Sequence, residues 1–336
     1  MNSLAPIPGT DIITRFASQG FLAPVPLYTA SQCKLILNHF RSGTLSAPHV
    51  WLKGHAVSDP HDIATRPALL DLLKQILGPE LVLWGAMLVE RVPEEVHPWH
   101  TDIESSRALE GFASVWVGLE NTSASSSLQL ISGSHRFGKP IQQVMYENKA
   151  SRFETSAAMV ADWASAIDPG AQLVQPAVRD GEAIVFDGRL WHSSRNSSGR
   201  TRAALLLQYV KSDTPVFIPD FSKLEWTFHV TTQRPPAILV SGVGNPAGHD
   251  LLVAPAACPQ DNDHSLKTFV DRGNNYTEDP VARWRRYGFF HGHTASVEAM
   301  GSHLSVLSPG HCPAACARRG GIAAYSRWRC RDSHNG

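Results

Sequence analysis

The sequence predicts a mainly β fold with α-helical decoration, arranged as a jelly roll or barrel. Helical spacing dominates the chain before Gly78, and the pattern then changes to short apolar segments. Each of those segments is closed by a turn signal, as in antiparallel β architectures. Helices first and strands after them also argue against an alternating α/β sheet.

The elements follow in order. Thr10 is expected to cap a short helix over Asp11 to Ser18, closed by Gly20. Ser31 is expected to cap a second, with Leu35, Ile36, Leu37 and Phe40 as its apolar stripe. A third runs from Arg66 to Ile76 and ends at Gly78-Pro79. Strands are expected over Leu81 to Arg91, Phe112 to Leu119, Ser127 to Ile131, Ala183 to Phe186 and Ala203 to Val210. The long stretch 139–178 interrupts this series and holds a helical pattern from Thr155 to Ile167. It is either a lid or a packed surface helix.

Bulk properties narrow the function classes. The 336 residues are 43% hydrophobic and 18% charged, which supports a sizeable core. Lys+Arg and Asp+Glu are both 30, so a general nucleic-acid or membrane-surface binder is not expected. No signal peptide and no membrane-spanning run is recognised. Five cysteines without framework spacing fit a reducing cytoplasm, and a cytoplasmic location is expected. A small-molecule substrate is the expected partner, with oligomeric state left open.

The chemistry concentrates in His97-Pro98-Trp99-His100-Thr101-Asp102, answered by Leu190-Trp191-His192 and Arg202. On a strand, residues two apart share a face, so His100 and Asp102 can reach one ion. His192 is the best candidate for the third ligand. Two imidazoles and one carboxylate leave the opposite face of a metal open, as in non-haem Fe(II) oxygenases. Arg202 opens an apolar strand, so its guanidinium is expected to be partly buried and to need a partner. That partner is either a dicarboxylate cosubstrate or a structural Asp or Glu.

The chain resembles the phytanoyl-CoA dioxygenase-like branch of the Fe(II)/2-oxoglutarate-dependent oxygenases over roughly residues 10–212. The resemblance rests on Leu77-Gly78-Pro79, Trp99 to Asp102, Val115 to Leu119, Gly133-Ser134-His135, and Gly181-Glu182 leading to Trp191-His192. It ends with Asn196-Ser197-Ser198 and Arg202 to Leu205. It implies a double-stranded β-helix, a cupin-like jelly roll. It implies that His100, Asp102 and His192 bind iron and that Arg202 anchors the distal carboxylate of 2-oxoglutarate. Ser194 matches a hydroxyl that helps hold that carboxylate. Trp116 and Met87 match positions lining the cosubstrate pocket, and Lys53 matches a basic residue near it. The implied reaction consumes 2-oxoglutarate and O2, releases succinate and CO2, and oxidises an unactivated C–H bond. Halogenating relatives carry a small residue where this chain has Asp102, so hydroxylation, desaturation, epimerisation or ring formation is implied. Ser126-Ser127, Ser132 and Thr101 depart from the residues usual in relatives, and all three lie outside the ligand set.

The expected organisation is a dioxygenase domain over 1–225, with the 139–178 insertion inside it, followed by an extension over 226–336 with a weakly ordered tail from about 297. The substrate wall is expected to draw on Leu83, Arg107, the insertion and the extension. Two other classes stay open: a zinc-dependent hydrolase or isomerase on a jelly-roll scaffold, and a non-catalytic ligand-binding jelly roll. His291-Gly292-His293, Cys312 with Cys316, Trp284 to Tyr287, and Gly242 to Gly248 carry no motif of comparable specificity.

Overall fold

In the computed structural model the described residues are 12–41, 61–102, 111–219, 226–232, 236–244 and 249–252. Lys53, Arg107 and the motifs beyond residue 252 lie outside them, as does the tail expected from about 297.

The N-terminal part is helical, as its spacing predicts. Helix α1 (Ile12–Gln19) ends at Gly20, whose φ of +81° suits a residue without Cβ. Strand β1 (Phe21–Pro26) follows, then α2 (Ala30–Arg41), α3 (His61–Ala64) and α4 (Pro67–Leu77). The cap of α2 is Thr29, not Ser31. Thr29 and Gln32 form a reciprocal box: Gln32 N donates to Thr29 Oγ1 at 3.3 Å, and Thr29 N donates to Gln32 Oε1 at 2.9 Å. This shifts the buried stripe to Cys33, Ile36 and Leu37 and leaves Leu35 45% exposed.

The rest is mostly sheet. The strands are β2 (Leu81–Arg91), β3 (Val96–His100), β4 (Phe112–Glu120), β5 (Leu128–Ser132), β6 (Gln172–Val174), β7 (Glu182–Asp187), β8 (His192–Arg195) and β9 (Arg202–Lys211). Between β5 and β6 lie helices α5 (Ile141–Glu147) and α6 (Ala157–Ile167). Beyond β9 come β10 (Ile218–Pro219), β11 (Val230–Thr232), β12 (Pro236–Ser241) and β13 (Asp250–Leu252).

These strands form two main sheets. The large one has the order β1-β7-β4-β9-β2-β12-β13 and the smaller one β3-β8-β5-β6. Pairing is antiparallel except for β12 with β13. The fold is therefore the expected jelly roll. The large sheet continues past residue 225, because Ile238 of β12 stands opposite Leu83 of β2.

Alternation along the strands sorts side chains into separate layers. On β4, Val115 and Val117 join a core between the large sheet and the N-terminal helices, with Ile36, Leu69 and Leu73. Trp116 points the other way, into a second core between the sheets with Phe186, Leu128 and Leu130. Leu83 belongs to the first of these cores. It therefore lies on the helix side, away from the space between the sheets, and is withdrawn from the expected substrate wall.

A third cluster covers the outer face of the small sheet. Trp99, Ile131 and Trp191 pack there against Ile141, Val144 and Met145 of α5 and Val160 and Ala164 of α6. Helices α5 and α6 of the 139–178 segment are thus seated on the backs of the strands that carry His100 and His192, while β6 pairs with β5.

Candidate metal centre

His100 and His192 face each other across the β3–β8 ladder, in register as Cα partners. Their rings lie 4.1 Å apart between centroids. Asp102 is not on the strand, as the two-residue spacing implies, but two residues beyond its end. The turn after β7 holds it there: Asp102 N donates to Gly188 O at 2.9 Å. That turn is itself clamped, with Arg189 donating to Asp187 Oδ1 at 2.9 Å and Oδ2 at 2.8 Å.

The three side chains converge. Asp102 Oδ1 is 3.4 Å from His100 Nε2 and 3.3 Å from His192 Nε2. All three residues are buried, and their candidate ligand atoms lie within 4.8 Å of one another. It is the one such group among the described residues. Each imidazole is oriented by its own backbone. His100 Nδ1 is 2.9 Å from Pro98 O and His192 Nδ1 is 2.9 Å from Leu190 O. A carbonyl only accepts, so each Nδ1 carries a proton, and in the neutral ring that metal binding requires Nε2 is the atom left with a lone pair. The hydrogen bond on the other ring nitrogen that orients metal-binding histidines is therefore built in.

Neighbouring elements brace the pair. Trp191 N donates to Ser134 Oγ at 2.8 Å, and Ser134 Oγ donates to Ile131 O at 2.7 Å. This gives the Gly133-Ser134-His135 stretch a structural task beside His192. On the other side, Thr101 Oγ1 donates to Gln142 Oε1 of α5 at 3.4 Å. Phe186 packs on His192 at 4.8 Å between ring centroids.

Arg202 opens β9 and is fully buried. Its Nη2 donates to Ser194 Oγ at 3.5 Å, and its guanidinium lies 5.0 Å from the centroid of Trp116. Nε and Nη1 have no hydrogen-bond partner among the described residues. Burial pushes its pKa below the ordinary arginine value, and the nearby Arg91 adds to the shift. Glu95 favours its charged form from further off, but among the described residues no carboxylate stands at ion-pair distance from it. The structural carboxylate that the sequence left open is not paired with it: Glu95 pairs with Arg91 instead, at 3.5 Å.

The donor set and this cation test what the site can hold. Two neutral imidazoles and one carboxylate suit a divalent first-row metal with open positions. Two buried guanidinium N–H groups without partners suit the carboxylate of a second ligand nearby. Met87, half-buried, stands opposite Leu206, which stands opposite Trp116, and it also touches the helix-side core. A cavity of about 580 Å³ borders Thr101, Asp187 and Arg189, walled by Phe16, Leu77 and Lys211 among others. It neighbours the candidate centre without being lined by His100, Asp102, His192 or Arg202.

Arg91 and Glu95 escape sequence reasoning, and His97 enters it only as the first residue of the motif, without a role. Arg91 is the register partner of Arg202. Its Nη2 donates to His97 Nδ1 at 3.3 Å, and the His97 ring stands edge-to-face on His100 at 4.4 Å. Burial, then His100 and Arg91, hold the His97 pKa well below the ordinary histidine value.

Comparison with known proteins gives one family match and several structural likenesses. The phytanoyl-CoA dioxygenase (PhyH) profile matches residues 16–204. Among solved structures, the non-heme monooxygenase ThoJ in its apo form is 19% identical with a TM-score of 0.50, over 82% of this chain and 96% of that one. CytC3 is 17% identical with a TM-score of 0.48, over 74% and 93% of the two chains. The non-heme alpha-ketoglutarate-dependent epimerase SnoN from nogalamycin biosynthesis is 17% identical, over 60% and 82%, with a TM-score of 0.45. No curated protein matches.

Proposed function

The chain belongs to the phytanoyl-CoA dioxygenase family of Fe(II)- and 2-oxoglutarate-dependent oxygenases, and from that premise we propose that it hydroxylates, or otherwise oxidises, an unactivated C–H bond of a small or medium-sized metabolite. The observation that carries this reading is the buried convergence of His100, Asp102 and His192 beside an Arg202 that lacks an anion. We propose a dioxygenase domain over 1–225 and an extension over 226–336 that adds β12 and β13 to its large sheet.

We assign His100 Nε2, His192 Nε2 and an oxygen of Asp102 as the iron ligands. When bound, the iron and 2-oxoglutarate supply the oxidising chemistry, with succinate and CO2 released. The protein's share is positional. The carbonyls of Pro98 and Leu190 fix both imidazoles in the ligating tautomer. Arg202 and Ser194 hold the distal carboxylate, with Trp116 and Met87 along the pocket and Lys53 near it. Asp102 fills the ligand position that a halide needs, which supports hydroxylation over halogenation. The buried Arg202 favours this reading over a zinc hydrolase, which has no use for a dicarboxylate anchor.

The test is succinate release from the Fe(II)-loaded protein with 2-oxoglutarate, O2 and a panel of candidate metabolites, read by mass spectrometry of the organic product. A product heavier by one oxygen, formed together with succinate, supports hydroxylation. An iron-loaded protein that never consumes 2-oxoglutarate overturns the reading.

A further inference from the structure

Between the candidate ligands and Arg202 the small sheet presents one more polar side chain, His97. On β8, His192 and Ser194 alternate to the same face. Their register partners on β3 are His100 and His97, across a bulge. Cross-strand partners share a face, so His97 joins the two imidazoles and Ser194 on the side facing Arg202. Ser194 touches Arg202, and His97 touches His100. His97 therefore stands over the space that an elongated diacid occupies if one end lies at the metal and the other at Arg202.

Its chemistry is fixed by Arg91. A guanidinium has only donors, so His97 Nδ1 accepts from Arg91 Nη2 at 3.3 Å. With its Nδ1 lone pair taken up by that bond, the ring carries its proton on Nε2. Arg91 is in turn held by Glu95 at 3.5 Å and by the carbonyl of Glu90 at 3.0 Å. Among the described residues His97 Nε2 has no hydrogen-bond partner. The chain Glu95–Arg91–His97 thus ends in one N–H donor left unused by the protein.

We propose that His97 is a cosubstrate-binding residue, its Nε2–H donating to a carboxylate oxygen of 2-oxoglutarate. This rests on the family reading and on the assignment of the three ligands.

The experiment is calorimetric titration of 2-oxoglutarate into the Mn(II)-loaded full chain without O2, comparing His97→Gln with His97→Asn. The Gln amide reaches the Nε2 position and keeps a donor there. The Asn amide reaches only the Nδ1 position and leaves the donor site empty. Mn(II) affinity is measured separately for each variant. We expect His97→Asn to bind 2-oxoglutarate at least about tenfold more weakly, the size of a lost hydrogen bond to a charged group. His97→Gln stays within about threefold of the parent on the same scale, and Mn(II) affinity is unchanged in both. Equal 2-oxoglutarate affinity in the parent and His97→Asn overturns the proposal. So does a parallel loss of Mn(II) and 2-oxoglutarate in both variants, which marks a structural role. A parent protein that binds Mn(II) but not 2-oxoglutarate overturns the underlying family reading instead.

Discussion

His100 and His192 are held by the same device: each turns Nδ1 onto the carbonyl oxygen two residues before it, at 2.9 Å, and each brings Nε2 to the same oxygen of Asp102. The symmetry comes from the strands. The two residues are register partners on β3 and β8, and each follows a tryptophan anchored in the outer cluster. The backbone thus fixes the ligating tautomer before any metal arrives.

Replacing one of the three proposed ligands consequently removes one corner of a preformed set. His100→Ala, Asp102→Ala and His192→Ala each weaken Fe(II) binding by more than about a hundredfold, since outer-shell partners alone change metal affinity about 10–100-fold. Anaerobic metal titration measures the loss, and succinate formation falls with it. Metal affinity within a few-fold of the parent in any of the three removes that residue from the ligand set.

Arg202 makes a prediction about stability. The guanidinium remains charged at neutral pH, and its burial without an anion weakens the unliganded fold. An anion that binds there relieves that penalty. For a ligand at a hundred times its Kd the added stability is about 2.7 kcal/mol. Melting temperature of the parent therefore rises with 2-oxoglutarate in the presence of Mn(II). Arg202→Met keeps or raises the melting temperature of the unliganded protein and abolishes the ligand-dependent rise. A variant that retains the full rise shows that the diacid binds elsewhere.

The sequence makes the outline of this centre legible because polar residues stand out against apolar strands. Arg202 precedes Ala203-Ala204-Leu205-Leu206, and His192 follows Leu190-Trp191. Local signals hide other parts. Strand β8 reads His-Ser-Ser-Arg, with no apolar alternation, and β1 contains Pro24. The Thr29–Gln32 box is legible in the spacing but competes with Ser31. The Glu95–Arg91–His97 chain depends on the β2–β9 register and the bulge in β3. Neither is encoded in any short motif, so only the folded chain reveals it.

The insertion's packing gives a prediction about its role. Val160 and Ala164 of α6 are buried in the cluster that contains Trp99 and Trp191. Val160→Ala removes two buried methyl groups and destabilises the fold by about 2 kcal/mol. Because the cluster lies behind the ligand strands, 2-oxoglutarate affinity at temperatures well below melting stays that of the parent. Denaturant unfolding and calorimetry read the two quantities. Unchanged stability with weakened cosubstrate binding restores a lid role for the segment.

His135 predicts how stability responds to acid. Its Nε2 donates to Ala17 O of α1 at 3.0 Å, and its Nδ1 has no partner among the described residues. Burial lowers its pKa below the ordinary value of 6.5, with Asp187 opposing part of the shift. Below pH 6.5 the unfolded chain then binds a proton that the folded chain refuses. Stability is therefore lost as pH falls through that range, with a slope of at most about 1.4 kcal/mol per pH unit from this group. His97 shifts the same way, so the parent curve alone does not isolate His135. His135→Gln does: it keeps a donor for Ala17 O and cannot titrate. Urea unfolding between pH 5 and 8 is expected to give a flatter curve for this variant. An identical slope in the two proteins assigns the acid sensitivity elsewhere and leaves His135 as a neutral packing residue at every pH tested.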